Sequence, residues 1–198
     1  CNAAAIQKNV VSGDRIIMVG YTEVAPGVFE IATAGIDNTG VLDATYGAGG
    51  LFQFPVFGVD FEMAAGVDIS STNEIFLAGR AIDGLAVRHG WIGAIDVNGT
   101  ALLPSFNGGS PSVVTIGADT VLDDIRLQVD GKPVVAGRAN LAGVNQVVVL
   151  RLNVDGTPDL TFGNSGSGYT AKVMSPNSRA WALDLRSADS KIITAGTA

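Results

Sequence analysis

An eight-residue segment occurs four times along the chain: GDRIIMVG at 13–20, TNEIFLAG at 72–79, DGKPVVAG at 130–137 and DSKIITAG at 189–196. The closing glycines of successive copies are separated by 59, 58 and 59 residues. A second phrase keeps this spacing: GIDNTGVLDATYG at 35–47, AIDVNGTALLPSFN at 94–107 and RLNVDGTPDLTFG at 151–163. Such a period indicates one supersecondary unit copied in tandem, in which each copy buries its apolar face against its neighbours.

The composition favours many short strands joined by tight turns. The chain has 198 residues, of which 26 are glycines. Hydrophobic residues make up 47% of the chain and charged residues only 16%. This balance excludes a disordered chain, which has low hydrophobicity and high charge. Short apolar segments rich in Val, Ile and Phe, bounded by Gly, Asp and Asn, are typical of strands, and no segment has a convincing helical period.

We therefore predict an all-β fold, a propeller-like array of four-stranded antiparallel blades with about 59 residues per repeat. The chain is predicted to be a single repeat domain over 1–198. Its repeats lie at approximately 5–58, 59–118 and 119–178, with a partial fourth at 179–198. Because propellers close with about four to eight blades, three alternatives stay open: a fragment of a longer array, an open stack, and closure by a homo-oligomer.

Each full repeat carries a turn in which oxygen-bearing side chains stand beside a glycine. The turns are DNTG at 37–40, DVNG at 96–99 and NVDG at 153–156. Their glycines favour the positive φ of hairpin turns, and a β-branched residue at Gly99 or Gly156 is expected to destabilise the fold. The residues that place oxygen atoms as calcium loops do are Asp37, Asp96, Asn98 and Asp155. Calcium is thus the one cofactor considered, since one Cys and one His exclude Cys/His metal sites.

Two arginines stand at one place in neighbouring repeats. Arg80 and Arg138 each follow the Ala-Gly that ends the repeated phrase, where Tyr21 and Thr197 stand in the other copies. If that strand end lines the mouth of a ring, both guanidinium groups share a rim and contact an anion or carboxylate. They are the predicted ligand-binding residues.

Other residues are weighed as catalytic groups. Asp119, Asp123 and Asp124 form an acidic cluster that is read either as paired glycosidase carboxylates, which lie about 5–10 Å apart, or as turn caps. His89 is the only histidine, and nothing nearby in the sequence completes a triad, so we expect it in a solvent-facing loop.

Aromatic residues recur at the end of the second phrase, and we expect them to fill the core between adjacent repeats. They are Tyr46, Phe106 and Phe162.

Charge and cysteine content restrict the partners. The net charge of −7, with scattered basic residues, predicts no nucleic-acid binding. No run of 18 apolar residues exists, so no transmembrane segment is predicted. Cys1 is the only cysteine, so no intrachain disulfide forms. It is interpreted as the lipid-accepting residue of a mature bacterial lipoprotein, as a residue left by cloning, or as the point where a fragment was cut.

The third repeat carries a resemblance in the following motifs: Asp130-Gly131-Lys132, Val134-Val135-Ala136-Gly137, Arg151-Leu152-Asn153, Asp155-Gly156-Thr157, Asp159 and Phe162-Gly163. These motifs resemble the delta-60 repeat family of bacterial proteins. The first repeat has Gly35-Ile36-Asp37 at the place of the Arg motif, and the second has Leu103 for the Asp and Asn107 for the Gly. The resemblance implies β-propeller blades in large secreted or surface-associated bacterial proteins, and it brings no catalytic residues.

The predicted function is a non-catalytic binding or structural module of a secreted or cell-envelope bacterial protein, located outside the cell, at its surface or in the periplasm. Its partner is an unidentified protein or glycan. One alternative is a propeller-type hydrolase or lyase with a site where the blades converge, which rests on analogy of fold alone. Another is a self-assembling ring or fibre component, because an open array exposes strand edges.

Overall fold

The computed structural model describes residues 1–10, 13–164, 166–186, 189 and 191–198. Within these residues the chain forms fourteen β-strands and one short 3-10 turn at Asn107–Gly109. The strands are grouped in chain order into three four-stranded antiparallel sheets and one two-stranded sheet. The predicted all-β, propeller-like array is therefore confirmed.

We number the sheets as blades 1 to 4. Blade 1 contains β1 (Ala3–Val10), β2 (Gly13–Ala25), β3 (Val28–Ile36) and β4 (Leu51–Phe54). Blade 2 contains β5 (Glu62–Ile69), β6 (Ile75–Ile82), β7 (Arg88–Ile95) and β8 (Ser112–Val114). Blade 3 contains β9 (Thr120–Leu127), β10 (Pro133–Leu141), β11 (Val144–Arg151) and β12 (Tyr169–Lys172). Blade 4 contains β13 (Arg179–Arg186) and β14 (Lys191–Thr197).

The first strand of each blade packs on the face of the blade before it. β5 contacts β1, β2 and β3, β9 contacts β5, β6 and β7, and β13 contacts β9, β10 and β11. The first strands therefore lie side by side as inner strands, and the blades stack face to face. Each blade thus has a forward face toward the next blade and a backward face toward the preceding one.

A buried apolar cluster fills each of the three interfaces between blades. Members of these clusters are Ile17, Tyr46, Leu77 and Trp91 between blades 1 and 2, Phe76, Phe106, Leu122 and Val135 between blades 2 and 3, and Val134, Ala136 and Leu183 between blades 3 and 4. Side chains that alternate along a strand point to opposite faces, which explains why neighbours such as Phe76 and Leu77 belong to different interfaces.

The glycine that closes the repeated phrase lies against a β-bulge of the inner strand. In blades 2 to 4 the register between the first two strands shifts by one residue at this point. A Cβ atom on Gly137 would lie 2.0 Å from the carbonyl oxygen of Val121, and Gly79 and Gly196 face similar carbonyls at 2.0 and 1.9 Å. Glycine is needed here because the two backbones approach closely. The bulged residues are Ala65, Asp123 and Trp181.

The predicted core position of two aromatic residues is confirmed. Tyr46 and Phe106 are buried, and each lies under the turn of the following blade. A Cβ atom on Gly99, whose φ is +65°, would lie 2.2 Å from the Tyr46 ring. Burial raises the pKa of Tyr46 to about 12, and its hydroxyl lies 2.7 Å from that of Thr33.

Phe162 is only half-buried, because blade 4 has two strands and no turn lies over this ring. The guanidinium of Arg151 lies 4.8 Å from its centroid instead. The apolar filling is therefore complete between the four-stranded blades and partial between blades 3 and 4.

We expect Gly137→Ala to lower the free energy of unfolding by about 1–3 kcal/mol, because the methyl group overpacks the approach to the Val121 carbonyl. Gly20→Ala is the matched control. A Cβ there would lie 3.5 Å from the Cys1 Cα, an ordinary contact. Urea denaturation of both variants measures the difference, and equal losses of stability would contradict this account of the bulge.

Candidate functional site

The two predicted ligand-binding arginines occupy equivalent places on neighbouring blades. Arg80 follows the repeat glycine of β6, and Arg138 follows that of β10. In the register with the inner strands, Arg80 pairs with Met63 and Arg138 with Val121. Because blades 2 and 3 stack face to face, both side chains lie at the same end of the array.

The structure adds further charged residues to this pair, and we call the whole group the arginine cluster. It consists of Arg80, Arg88, Arg138, Arg179, Asp119 and Asp123. Asp119 joins two blades, since its Oδ2 accepts hydrogen bonds from Arg88 Nη1 at 2.7 Å and from Arg138 Nη2 at 3.2 Å. Arg138 Nη1 also donates to Asn145 Oδ1 at 2.9 Å.

The bulge in β9 produces the second ion pair of the cluster. Asp123 is the bulged residue, and its carboxylate accepts two hydrogen bonds from Arg179 of blade 4, from Nε at 2.7 Å and from Nη2. The Arg179 guanidinium also stacks on Trp181, 3.7 Å from the ring centroid. A bulge re-aims a side chain in this way, and the two-point pairing holds the guanidinium in one orientation.

Arg80 differs from the other three arginines. It is half-buried, and none of the N–H groups of its side chain donates a hydrogen bond to any residue that the structure describes. The Phe61 ring lies beside its guanidinium, at 6.0 Å to the centroid. Burial lowers the pKa of Arg80, and the positive charge of Arg179 lowers it further. The cluster therefore contains a cation with free donors in an already positive environment.

The cluster also contains an acceptor without a donor. The Oδ1 atom of Asp119 is buried and accepts no hydrogen bond from the described part of the chain. Four arginines against two aspartates give the cluster an excess of positive charge, although the whole chain has a net charge of −7. The arrangement can thus receive an anionic group together with a hydrogen-bond donor.

The expectation that His89 lies in a solvent-facing loop is wrong. It lies within β7, and its side chain is 13% exposed. Its Nε2 is 3.0 Å from Asp83 Oδ2 and its Nδ1 is 2.7 Å from Thr115 Oγ1. The sequence pointed to no partner for His89, because Thr115 is 26 residues away and comes close only through the pairing of β7 with β8. The result is a hydroxyl–imidazole–carboxylate chain.

The turn residues considered as calcium ligands are engaged within their own turns. Asp37 Oδ1 accepts from the Thr39 backbone N–H at 2.8 Å and from its hydroxyl at 2.7 Å, and the hydroxyl bond lowers the pKa of Asp37. The same pattern recurs at Asp96 with Asn98 and Thr100 and at Asp155 with Thr157. Among the described residues, no three His, Cys, Asp or Glu side chains come together to hold a metal ion.

The three acids for which paired glycosidase carboxylates or turn caps were the alternatives have separate contacts. Asp123 pairs with Arg179 and Asp119 with two other arginines, as described above. Asp124 Oδ2 instead accepts the backbone N–H of Leu183 at 2.8 Å. Their geometry is therefore that of ion pairs and backbone acceptors between blades.

A second charged group, in blade 3, is fully paired. Asp159 Oδ2 accepts from Lys132 Nζ at 2.9 Å and from Arg151 Nε at 2.8 Å. The Thr161 hydroxyl, followed by Lys132, holds the pKa of Asp159 well below its usual range. Blade 1 has a related buried pair, Arg15 with Asp43, at 2.7 Å. In the second repeat the acid and the base are both replaced, by Leu103 and Glu74, so blade 2 lacks this ion pair.

A groove of about 680 Å³ lies on blade 1 and carries no charged side chain. It is lined by Thr22, Ala32, Thr33, Gly47, Ala48, Leu51, Phe52, Gln53 and Thr100. Its position on blade 1 separates it from the arginine cluster, which belongs to blades 2 to 4. The groove and the charged cluster are therefore two different candidate binding surfaces.

Comparison with known proteins agrees with the fold. Residues 128–162, which include β10 and β11, match a family model described as "Domain of unknown function (DUF5122) beta-propeller". No curated protein matches the chain. The finer resemblance to delta-60 repeats stays a prediction.

Two sequence predictions concern the membrane. The described part of the chain contains no helix that is long and apolar enough to cross a bilayer. Cys1 is exposed and its Sγ lies 3.2 Å from the Ala3 carbonyl oxygen. Its lipidation stays a prediction.

We expect Asp159→Asn to destabilise the fold near neutral pH, with a difference from wild type that shrinks as the pH falls. The folded-state pKa of Asp159 is below the unfolded value of about 3.9, so its contribution is complete above that value. It is lost as the pH falls toward the folded-state pKa. Urea denaturation at several pH values measures this. Asp130→Asn, at an exposed turn in the same repeat, is the control, and a pH-independent difference for Asp159→Asn contradicts the prediction.

Proposed function

We propose that this chain is a non-catalytic binding module of a bacterial secreted or cell-envelope protein, and that its arginine cluster takes an acidic group of a protein or glycan partner. The observation that carries this proposal is the half-buried guanidinium of Arg80, which has no hydrogen-bond partner in the described structure. A partly desolvated charge is unfavourable unless it is paired. An incoming carboxylate would supply that pair.

The rest of the cluster favours a rigid site. Arg88 and Arg138 are held by Asp119, and Arg179 is held by Asp123 and Trp181. These arginines contribute charge without needing to reorient, so less conformational entropy is lost on binding. Arg80 is the member with free donors, and a bidentate guanidinium–carboxylate contact is the geometry that it favours.

The free Asp119 Oδ1 narrows the chemistry of the ligand. A buried acceptor is usually satisfied, and a hydroxyl adjacent to the bound acid would satisfy it once binding displaces the side chains that cover it. A sugar acid carries both groups within one ring. We therefore favour a uronic-acid residue of a glycan over a plain acidic side chain of a protein.

Arg80→Gln is expected to weaken binding of trigalacturonate by roughly 10-fold or more, because hydrogen bonds to charged groups contribute about 1.5–3 kcal/mol. Isothermal titration calorimetry at low and at physiological salt measures the loss. The wild-type affinity is expected to fall as salt rises. A glutamate-rich peptide, titrated in parallel, separates a protein partner from a glycan partner.

The matched control is Arg186→Gln, the same change of charge at the other end of β13, roughly 20 Å along the strand from Arg179. This arginine pairs with Asp189 and lies outside the cluster. Equal affinities for Arg80→Gln and Arg186→Gln, or no binding of either probe to the wild type, would remove the support for this site.

A second candidate function, a hydrolase, is favoured by one observation, the chain formed by Asp83, His89 and Thr115. In such a reaction His89 would take the Thr115 proton as the hydroxyl oxygen attacks an ester carbonyl, and would return it to the departing alkoxide. Water would then release the acyl group from the threonine. A groove of about 270 Å³ includes Thr115 in its wall, together with Leu150 and Tyr169, and offers room for the acyl chain.

If the chain is catalytic, Thr115→Val reduces ester hydrolysis at least about 100-fold, because it removes the nucleophile whose activation by a positioned general base contributes about 10²–10⁴. Release of p-nitrophenol from p-nitrophenyl acetate measures the rate. Thr115→Val keeps the imidazole and so separates the relay from hydrolysis by a lone imidazole, whereas His89→Gln is expected to abolish both. A Thr115→Val rate equal to that of the wild type ends the hydrolase candidate and leaves the binding module.

A further inference from the structure

A carboxylate of each middle inner strand is tied to the backbone of the next blade. Asp68 Oδ2 in β5 accepts the N–H of Leu127 in β9 at 2.7 Å, and Asp124 Oδ2 in β9 accepts the N–H of Leu183 in β13 at 2.8 Å. In both contacts the donor stands 59 residues after the acceptor, which is one repeat. The other oxygen, Oδ1, accepts the N–H of the residue that follows the aspartate, at 2.9 Å in both.

Asp184 in β13 makes the hydrogen bond to the residue that follows it but, within the described structure, not the contact with a following blade. Its Oδ1 accepts the N–H of Leu185 at 2.8 Å, so the carboxylate is oriented as in Asp68 and Asp124. Its Oδ2 accepts no hydrogen bond from the residues that the structure describes. By register with the repeat glycines, Asp184 stands at the place of Asp68.

The forward face of blade 4 is apolar and uncovered. Ile193 in β14 is 53% exposed. The residues at its register place in the other blades are Ile17, Phe76 and Val134, exposed by 0%, 6% and 0%. Those three are covered by the following blade. Trp181, on the same inner strand as Asp184, is also half exposed.

The backward face of blade 1 is the counterpart of this surface. Ile16 in β2 is 41% exposed, whereas Ile75 at its place in blade 2 is fully buried and Pro133 in blade 3 is buried. Ile6 in β1 is 53% exposed and stands at the register place of Leu127, the residue whose N–H bonds to Asp68. Blade 1 thus presents the surface that blades 2 and 3 use to cover a forward face.

We propose that the forward face of blade 4 binds the backward face of blade 1 of a second copy of this chain, with Asp184 Oδ2 accepting the Ile6 N–H of that copy. The partner is a second copy because this chain exposes both surfaces that such a contact needs, the forward face of blade 4 and the backward face of blade 1. An apolar interface of the same kind is already formed between blades 1 and 2, blades 2 and 3, and blades 3 and 4. Since the two surfaces differ, the contact is heterologous, and it either closes into a ring or continues as a filament.

Two single-face variants test the proposal. Ile193→Lys places a charge on the forward face of blade 4, and Ile16→Lys places one on the backward face of blade 1. Both isoleucine side chains are exposed in the isolated chain, so we expect both variants to fold. We expect the wild type to exceed the monomer mass of 20.2 kDa in light scattering as concentration rises. Each variant has one intact face and one altered face, so two copies of the same variant cannot form the contact. The mass of each variant alone is therefore expected to stay at 20.2 kDa. Val129→Lys, at a fully exposed turn residue, is the control and should behave as the wild type.

A mixture of the two variants gives the most specific result. Ile16→Lys keeps an intact blade 4 and Ile193→Lys keeps an intact blade 1, so one joint can form between them. The expected product is a dimer of twice 20.2 kDa that grows no further. Failure of the mixture to associate, while the wild type does, shows a different interface and overturns the proposal.

Asp184→Asn tests the hydrogen bond itself. The amide keeps the size of the side chain but would present an N–H group toward the Ile6 N–H, so association is expected to weaken roughly 10-fold. The emission of Trp181 is expected to shift to the blue on association, because this ring is half exposed in the isolated chain. A wild type that stays at 20.2 kDa at every concentration tested overturns the proposal, and assigns both faces to a different partner or to further blades.

Discussion

The close approach of two backbones inside blades 2 to 4 is the constraint that shapes the stack of blades. The inner strand bulges toward the second strand, and the glycine that ends the repeated phrase is the residue that leaves space for its carbonyl. The bulge changes which side chains of the inner strand face the neighbouring blade. Packing between blades, and the charged contacts among them, follow from that change.

The arginine cluster illustrates this dependence. Asp123 is a bulged residue, and its displacement from the ladder brings its carboxylate to Arg179 of the next blade. Asp119 then joins Arg88 and Arg138 across blades 2 and 3. With both acids engaged, Arg80 is left as a cation without a hydrogen-bond partner in the described structure. The excess of positive charge in this cluster, within an otherwise acidic chain, thus depends on backbone geometry.

Much of the fold could be predicted because its signals are local. The 59-residue period, the apolar segments and the turn glycines are each read within a few residues, and they indicated blades and their order along the chain. Tyr46 and Phe106 were placed in the core by their recurrence alone. The place of His89 was predicted wrongly, since its strand is set by pairing between β6, β7 and β8 and not by local hydropathy.

The repeating unit, the all-β class and the equivalence of Arg80 with Arg138 could all be read from the amino-acid sequence, because a tandem period carries this information directly. Which charged side chains contact each other depends instead on the folded arrangement of the blades. Asp68 reaches Leu127, and Asp83 reaches Thr115 through His89, across strands or blades whose separation in sequence contains no local signal. Contacts between repeats depend on how faces stack and where bulges aim side chains, and these are properties of the folded array.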